Sequence, residues 1–212
     1  MTVYDFCRGY THRPFRTAPI QVLTIHSLQG GKSTVESIDE WYQERIAQGF
    51  SSCSNYGVAY DGKIGIYVPD ARRAATSSSS TNDNRALTIE VATDTDAPKY
   101  SMYDAARTAL VDLIVELCSR YKKQGIVMMT KETRFDAPPD GYFGITLHRW
   151  YADTDCPGDD ILKALPEIVK TVNARLTPIY RVQVGAYINR DNADVKLRKV
   201  RDAGFKDAYI TV

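Results

Sequence analysis

The chain has 212 residues, 43% of them hydrophobic and 25% charged, with a formal net charge of +1 at pH 7. That length suits one domain of ordinary size plus an appendage, and the composition leaves enough apolar surface for a core. A balance this close to neutral implies no polyanionic partner such as nucleic acid. The longest apolar stretch, Ala109 to Cys118, is broken by Asp112 and Glu116, so no membrane span fits.

The first residues, MTVYDFCRGYTHRPFR, lack the uninterrupted apolar core of a signal peptide, so the protein is expected to be made in a cytoplasm with no export route of its own. Residues 19–26, PIQVLTIH, alternate and are β-rich, as in a buried strand. Ser33 and Glu36 then have the spacing of a capping box. The helix they open carries Ile38, Trp41, Tyr42 and Ile46 and stops near Gly49. NYGVAYDGKIGIYV reads as a hairpin turning at Asp61-Gly62. The polar run 75–85 reads as a surface loop, and 85–92, RALTIEVA, as a strand. Ser101 with Asp104 marks a second helix start, and that helix runs to about Tyr121 on a stripe of Ala106, Leu110, Leu113 and Leu117. IVMMT (126–130) follows as a short strand, GITLHRW (144–150) as a strand or loop, and 159–176 as helix with Pro166 starting a second segment. Strands alternating with helices give an α/β domain, a central mixed sheet flanked by helices, over residues 1–176. Residues 177–212 read as a small βαβ module: a strand at 180–187, a helix ending in a glycine C-cap, and a last strand in FKDAYITV.

The segment IHSLQGGKST, 25–34, imitates a phosphate-binding P-loop, but the opening glycine of that pattern falls on His26. An imidazole there removes the backbone freedom that lets such a loop wrap a phosphate. There are three histidines, His12, His26 and His148, and His148 opens HRWYADTDCPG, which brings in Cys156. Two histidines and a cysteine supply three of the four positions around zinc and leave the fourth to water, the arrangement of a catalytic site. The alternative is that His26 is a satisfied core histidine and Cys156 a small buried apolar residue. The four cysteines are too scattered for a disulfide framework, and Cys118 sits in the apolar stripe of its helix.

The histidine of TIHS, the NYGVAYDG hairpin, RALTIEVA and HRWYADTDCPG, in that order and spacing, resemble the zinc N-acetylmuramoyl-L-alanine amidases of phage endolysins, prophage wall hydrolases and animal peptidoglycan recognition proteins, over about residues 15–176. The resemblance implies zinc held by His26, His148 and Cys156, and peptidoglycan as substrate. It also implies that Tyr56 stands near the metal, where its phenol holds the scissile carbonyl or the attacking water, though a hairpin packing role fits it equally. Glu90 matches an acidic residue that takes a proton from the attacking water; the other reading is a strand glutamate in a salt bridge. Thr154 stands where many phage members carry a lysine and the recognition proteins a threonine, which leaves a neutral hydroxyl to steady the oxyanion. Arg149 and Trp150 either line a substrate groove or, for the tryptophan, join the core. The serine run 77–80 is expected as a plain mobile loop, the other reading being contact with sugar or peptide, and His12 as no ligand.

YRVQVGAYINRDNADVKLRKVRDAGFKDAYI resembles one half of a SPOR domain, a fold that binds peptidoglycan glycan strands. Two copies pairing through residues 180–212 would complete its sheet, which implies a homodimer. Two readings of function stand at this point. One is hydrolysis of the amide between N-acetylmuramic acid and L-alanine by an endolysin that reaches the cell wall after a holin opens the membrane. The other is a non-catalytic peptidoglycan-binding protein of the same fold, a type that has usually lost the cysteine ligand kept here.

Overall fold

The computed structural model describes residues 1–29, 31–177 and 182–211. The chain divides into two compact units, Met1–Thr177 and Pro178–Val212. In the first, β1 (Val3–Asp5), β2 (Val22–Leu28), β3 (Tyr56–Val58), β4 (Ile64–Ile66), β5 (Ala86–Ala92), β6 (Gly125–Met128) and β7 (Tyr142–Leu147) form one sheet. Their order is β1-β4-β3-β5-β2-β7-β6. The run β3-β5-β2-β7-β6 is parallel, β4 turns back against β3, and β1 lies parallel to β4. This is the mixed central sheet flanked by helices that the sequence leads one to expect.

Alternation along the strands sorts the two faces. Leu23, Ile25, Leu87, Ile89, Ile145 and Leu147 point one way. They form the main core with Leu110, Leu113 and Leu117 of α3 (Asp104–Arg120) and with Ile161, Leu165, Ile168 and Val172 of α4 (Asp159–Leu176). Burying each such side chain contributes about 1.5–3 kcal/mol. The other face carries α1 (Val35–Ala47), whose Ile38 and Tyr42 pack with Tyr10 and Tyr67. Gly57 belongs to this face, because a Cβ there would meet Tyr67 at 2.9 Å and Ile38 at 3.3 Å. Its neighbour Tyr56 therefore points to the α3 side.

Several helix boundaries differ from the sequence reading. The box at the start of α1 is Thr34 with Ser37, each side chain bonding the other's backbone N–H, and not Ser33 with Glu36. Ser33 is diverted: its carbonyl accepts from the Tyr60 N–H at 3.0 Å. Ser101 does not cap α3 but donates to Asp160 Oδ2 in the first turn of α4 at 2.5 Å. α4 runs unbroken through Pro166. Both Pro166 and Leu162 face solvent, so water can meet the carbonyl that the proline leaves unpaired. Within 75–85 a short helix, α2 (Ser80–Arg85), forms under a Ser79 cap, and Ser77, Asn82, Asp83 and Arg85 are buried. This segment is a partly buried polar plug, bonded within itself at Ser77 and Asp83 and to the sheet at Asn82, and not a plain surface loop. β1 has no counterpart in the sequence reading.

In the second unit, α5 (Arg190–Asp202) is capped by Asn189, and Gly204 follows its end at a positive φ of 105°. No strand forms among residues 182–211, contrary to the βαβ expectation; positions 180, 181 and 212 of the two expected strands lie outside the described residues. The reason is local. No residue of α5 is buried, and two short β-prone segments without a third strand or a covering core do not hold a ladder. Among the described residues no helix is long and apolar enough to cross a membrane.

Candidate metal centre

Three parallel strands deliver the site. β2 and β5 lie in register with His26 opposite Glu90, and β7, on the other side of β2, ends at Leu147, one residue before His148. His148 opens a short 3₁₀ turn, His148–Trp150. All three side chains emerge near the carboxyl ends of the strands, where open α/β sheets place their ligands. Cys156 arrives from the loop before α4. That loop is clasped by Arg149, whose backbone N–H donates to the Cys156 carbonyl at 2.9 Å while its guanidinium reaches the Asp155 carbonyl at 2.5 Å and Asp159 at 3.3 Å. Arg149 is thus a clasp for the ligand loop, and Trp150 packs against the main core.

One ligand atom from each of His26, His148 and Cys156 lies within 4.8 Å of the others. His26 Nδ1 is 3.9 Å from Cys156 Sγ and 4.0 Å from Glu90 Oε1, and the two imidazole rings are 4.6 Å apart between centroids. Tetrahedral zinc, with bonds of roughly 2.0–2.1 Å to nitrogen and 2.3 Å to sulfur, sets such atoms roughly 3.3–3.6 Å apart. His26 Nε2, His148 Nε2 and Glu90 Oε2 are buried and have no hydrogen-bond partner among the described residues. Buried polar atoms rarely stay unpaired. Two imidazoles, a thiol and these orphaned atoms fit a zinc ion.

The electrostatics agree. Burial, with His148 adding to it, holds His26 well below its usual 6.5, and burial also lowers His148, so both rings are neutral and able to ligate. Burial pushes the Cys156 thiol up to about 12, and the nearby Glu90 adds to this, against a backbone N–H donated by Ser27 at 3.3 Å. A bound dication reverses that order and holds the sulfur as thiolate. Glu90, 9% exposed, is raised by burial to about 8, which makes both its protonation states accessible near neutral pH.

The other expected residues divide. Thr154 is in the ligand loop, where its hydroxyl accepts from the Cys156 N–H at 3.2 Å and keeps its own proton free to donate. Tyr56 is not at the centre. Its hydroxyl donates to Asp70 at 2.6 Å and accepts from Arg120 of α3 at 2.8 Å, on the face of the sheet opposite Glu90. The reason is register: Gly57, not Tyr56, lies opposite Glu90, so the alternation turns the tyrosine away. His12 is exposed and outside the cluster.

The family model described as N-acetylmuramoyl-L-alanine amidase matches residues 16–159. The chain belongs to this amidase family. The match spans β2 to the start of α4 and takes in His26, Glu90, His148 and Cys156. No curated protein matches the chain. Among solved structures, the chain is similar to the Staphylococcus aureus hydrolase AmiA in complex with its ligand, with 12% identity and a TM-score of 0.60 over 83% of each chain. It is similar to the N-acetylmuramoyl-L-alanine amidase LysC from Clostridium intestinale, with 17% identity, a TM-score of 0.51, and 82% of this chain and 98% of that one covered. It is also similar to a mutant endolysin from Bacillus subtilis, with 13% identity, a TM-score of 0.54, and 81% and 99% covered. At such identities these likenesses establish the amidase fold.

Proposed function

We propose that the chain is a zinc-dependent hydrolase of the amide joining the lactyl group of N-acetylmuramic acid to L-alanine of the stem peptide, acting on the bacterial wall as a phage or prophage endolysin. The observation that carries this reading is the convergence of His26, His148 and Cys156 beside Glu90, whose buried Oε2 has no hydrogen-bond partner among the described residues. Zinc on those three residues would supply a Lewis acid for the scissile carbonyl and a water acidified to a pKa of roughly 7. Glu90 takes the proton of the attacking water and returns it to the alanine nitrogen as the C–N bond breaks, so the carboxylate ends as it began. Thr154 donates its hydroxyl proton to the carbonyl oxygen as negative charge grows there, a neutral hydrogen bond in place of a charged one. Arg149 keeps the cysteine loop in place. Retention of Cys156 favours this reading over a purely binding role. In it, the protein reaches the wall once a holin has opened the membrane.

Zinc-loaded protein incubated with purified Gram-positive walls is expected to release free stem-peptide amino termini; if none appear, the hydrolase reading fails. Cys156→Ser is expected to abolish that release and the bound zinc, and unchanged activity would remove the metal assignment.

Residues 177–212 are proposed as a SPOR-like module that binds the wall or pairs two copies. Support comes from Val182, Ile188, Phe205 and Tyr209, all strongly exposed around a helix with no buried residue. A second copy would cover them and supply partners for the unpaired segments. Light scattering of the whole chain is expected to give twice the mass of one copy.

A further inference from the structure

The three strands that carry the site share a pattern: Leu23-Thr24-Ile25-His26, Leu87-Thr88-Ile89-Glu90 and Ile145-Thr146-Leu147-His148. Thr24 lies opposite both Thr88 and Thr146 in the ladders. Because side chains repeat every two residues, the three threonines form a row on the same face as Glu90, His26 and His148, one pleat below them. Each is completely buried.

Threonines in a sheet interior need partners, and these have specific ones. Thr24 Oγ1 and Thr146 Oγ1 are 2.8 Å apart. Asn82 of α2, itself fully buried, donates from Nδ2 to Thr24 Oγ1 at 2.9 Å. Asn82, Thr24 and Thr146 thereby form one hydrogen-bonded chain, in which either threonine hydroxyl can be the donor across the strands. On the other side, Thr88 Oγ1 accepts from the Asn55 N–H at 3.2 Å and the Thr88 N–H donates to Asn55 Oδ1 at 3.1 Å. Asn82 Oδ1 has no partner among the described residues. A leucine in its place would avoid that cost, so keeping an amide here implies a task for its donor.

We propose that Asn82, Thr24 and Thr146 are positioning residues for the metal centre: their hydrogen-bonded chain fixes the spacing of β2 and β7, and so the placement of the His26 and His148 imidazoles at the site. The ladder alone leaves the strands free to twist and slide slightly where β7 gives way to the 3₁₀ turn. A side-chain bond two residues below the ligands removes that freedom on the face where it matters. The chain also ties α2 and the serine segment before it to the ligand strands. Loss of contacts made directly to metal ligands weakens binding by about 10- to 100-fold, and the row is expected to act in that range through the strands that carry the ligands.

The inference rests on the zinc reading above, and the test separates the two. Zinc affinity of the full chain is measured by competition with a chromophoric chelator, and the visible bands of the cobalt-substituted protein report ligand geometry. The variants are Thr24→Val, Thr146→Val, Thr146→Ser and Asn82→Ala. Each valine is expected to weaken zinc binding by about 10- to 100-fold and to shift the cobalt bands, whereas Thr146→Ser, which keeps the hydroxyl, restores both. Asn82→Ala, which leaves the strands untouched, is expected to move both readouts in the same direction and serves if a valine variant does not fold. If the variants bind zinc within about twofold of the unaltered protein with unchanged cobalt bands and lose only thermal stability, the row is structural and the proposal is overturned. If the unaltered protein binds no zinc, it is the metal reading that fails.

Discussion

At the scale of single residues, Glu90 gives a measurable pH signature. In metal-free protein its folded-state value is about 8 against an ordinary 4.5, so across that window the folded chain holds a proton the unfolded chain has lost. Stability therefore falls as pH rises. His26 and His148 act in the opposite sense, because burial holds both below 6.5, and their contribution is complete once the unfolded rings are neutral. The histidine opposition fades by about pH 7.5, one unit above the unfolded value, so from about pH 7.5 to 8.5 the glutamate is read as the part of the slope that Glu90→Gln removes. Chelator-treated protein is expected to lose stability across that interval in urea titrations, and Glu90→Gln to flatten the slope; an equal slope in both would contradict the burial argument. Tyr56 tests the corrected placement. Tyr56→Phe breaks its bonds to Asp70 and Arg120, which should cost about 1–3 kcal/mol of stability and leave wall hydrolysis unchanged. Glu90 was legible in the sequence because a carboxylate inside ALTIEVA needs a reason to be there. Tyr56 was misplaced because its face depends on which residue of β3 meets Glu90, and only the ladder decides that.

At the scale of elements, the ligand loop depends on its turn into α4. Gly158 has a φ of 96°, and a Cβ there would lie 2.5 Å from Tyr100 and 2.6 Å from the Lys99 carbonyl. Gly158→Ala is expected to destabilise the protein by about 2 kcal/mol or more, from backbone strain and overpacking together. Because Cys156 is two residues away, zinc affinity should fall with it, as a chelator competition would read. Strands β2 to β7, the Asp61-Gly62 hairpin and the cores of α1, α3 and α4 could be read from local pattern, whereas the short β1 could not. The helix caps could not, because the Ser33 carbonyl is taken by the Tyr60 N–H and the Ser101 hydroxyl by Asp160, each from another element. α2 was hidden for a related reason: ATSSSSTNDNR has the composition of a solvated loop, and only the buried partners of Ser77, Asn82 and Asp83 turn it inward. The threonine row was written in the sequence three times, yet its meaning requires that the three strands be neighbours in one register.

At the scale of the whole molecule, the two units make different demands. Residues 1–177 enclose the amidase core, and a chain ending at Thr177 is expected to keep hydrolysis of a soluble muropeptide while losing any self-association seen by light scattering. Loss of hydrolysis in that shortened chain would tie the second unit to catalysis. In the second unit the sequence reading expected two strands that do not form among the described residues, because β-prone composition says nothing about where hydrogen-bond partners come from. The separation of the metal ligands has a consequence for synthesis. His26 and Cys156 stand 130 positions apart, so a ribosome has translated most of the message before the last donor exists. A product that ends before Cys156 lacks the third expected donor and, on the hydrolase reading, cannot act on the wall, so the cell that makes it meets no activity until that loop has been synthesised.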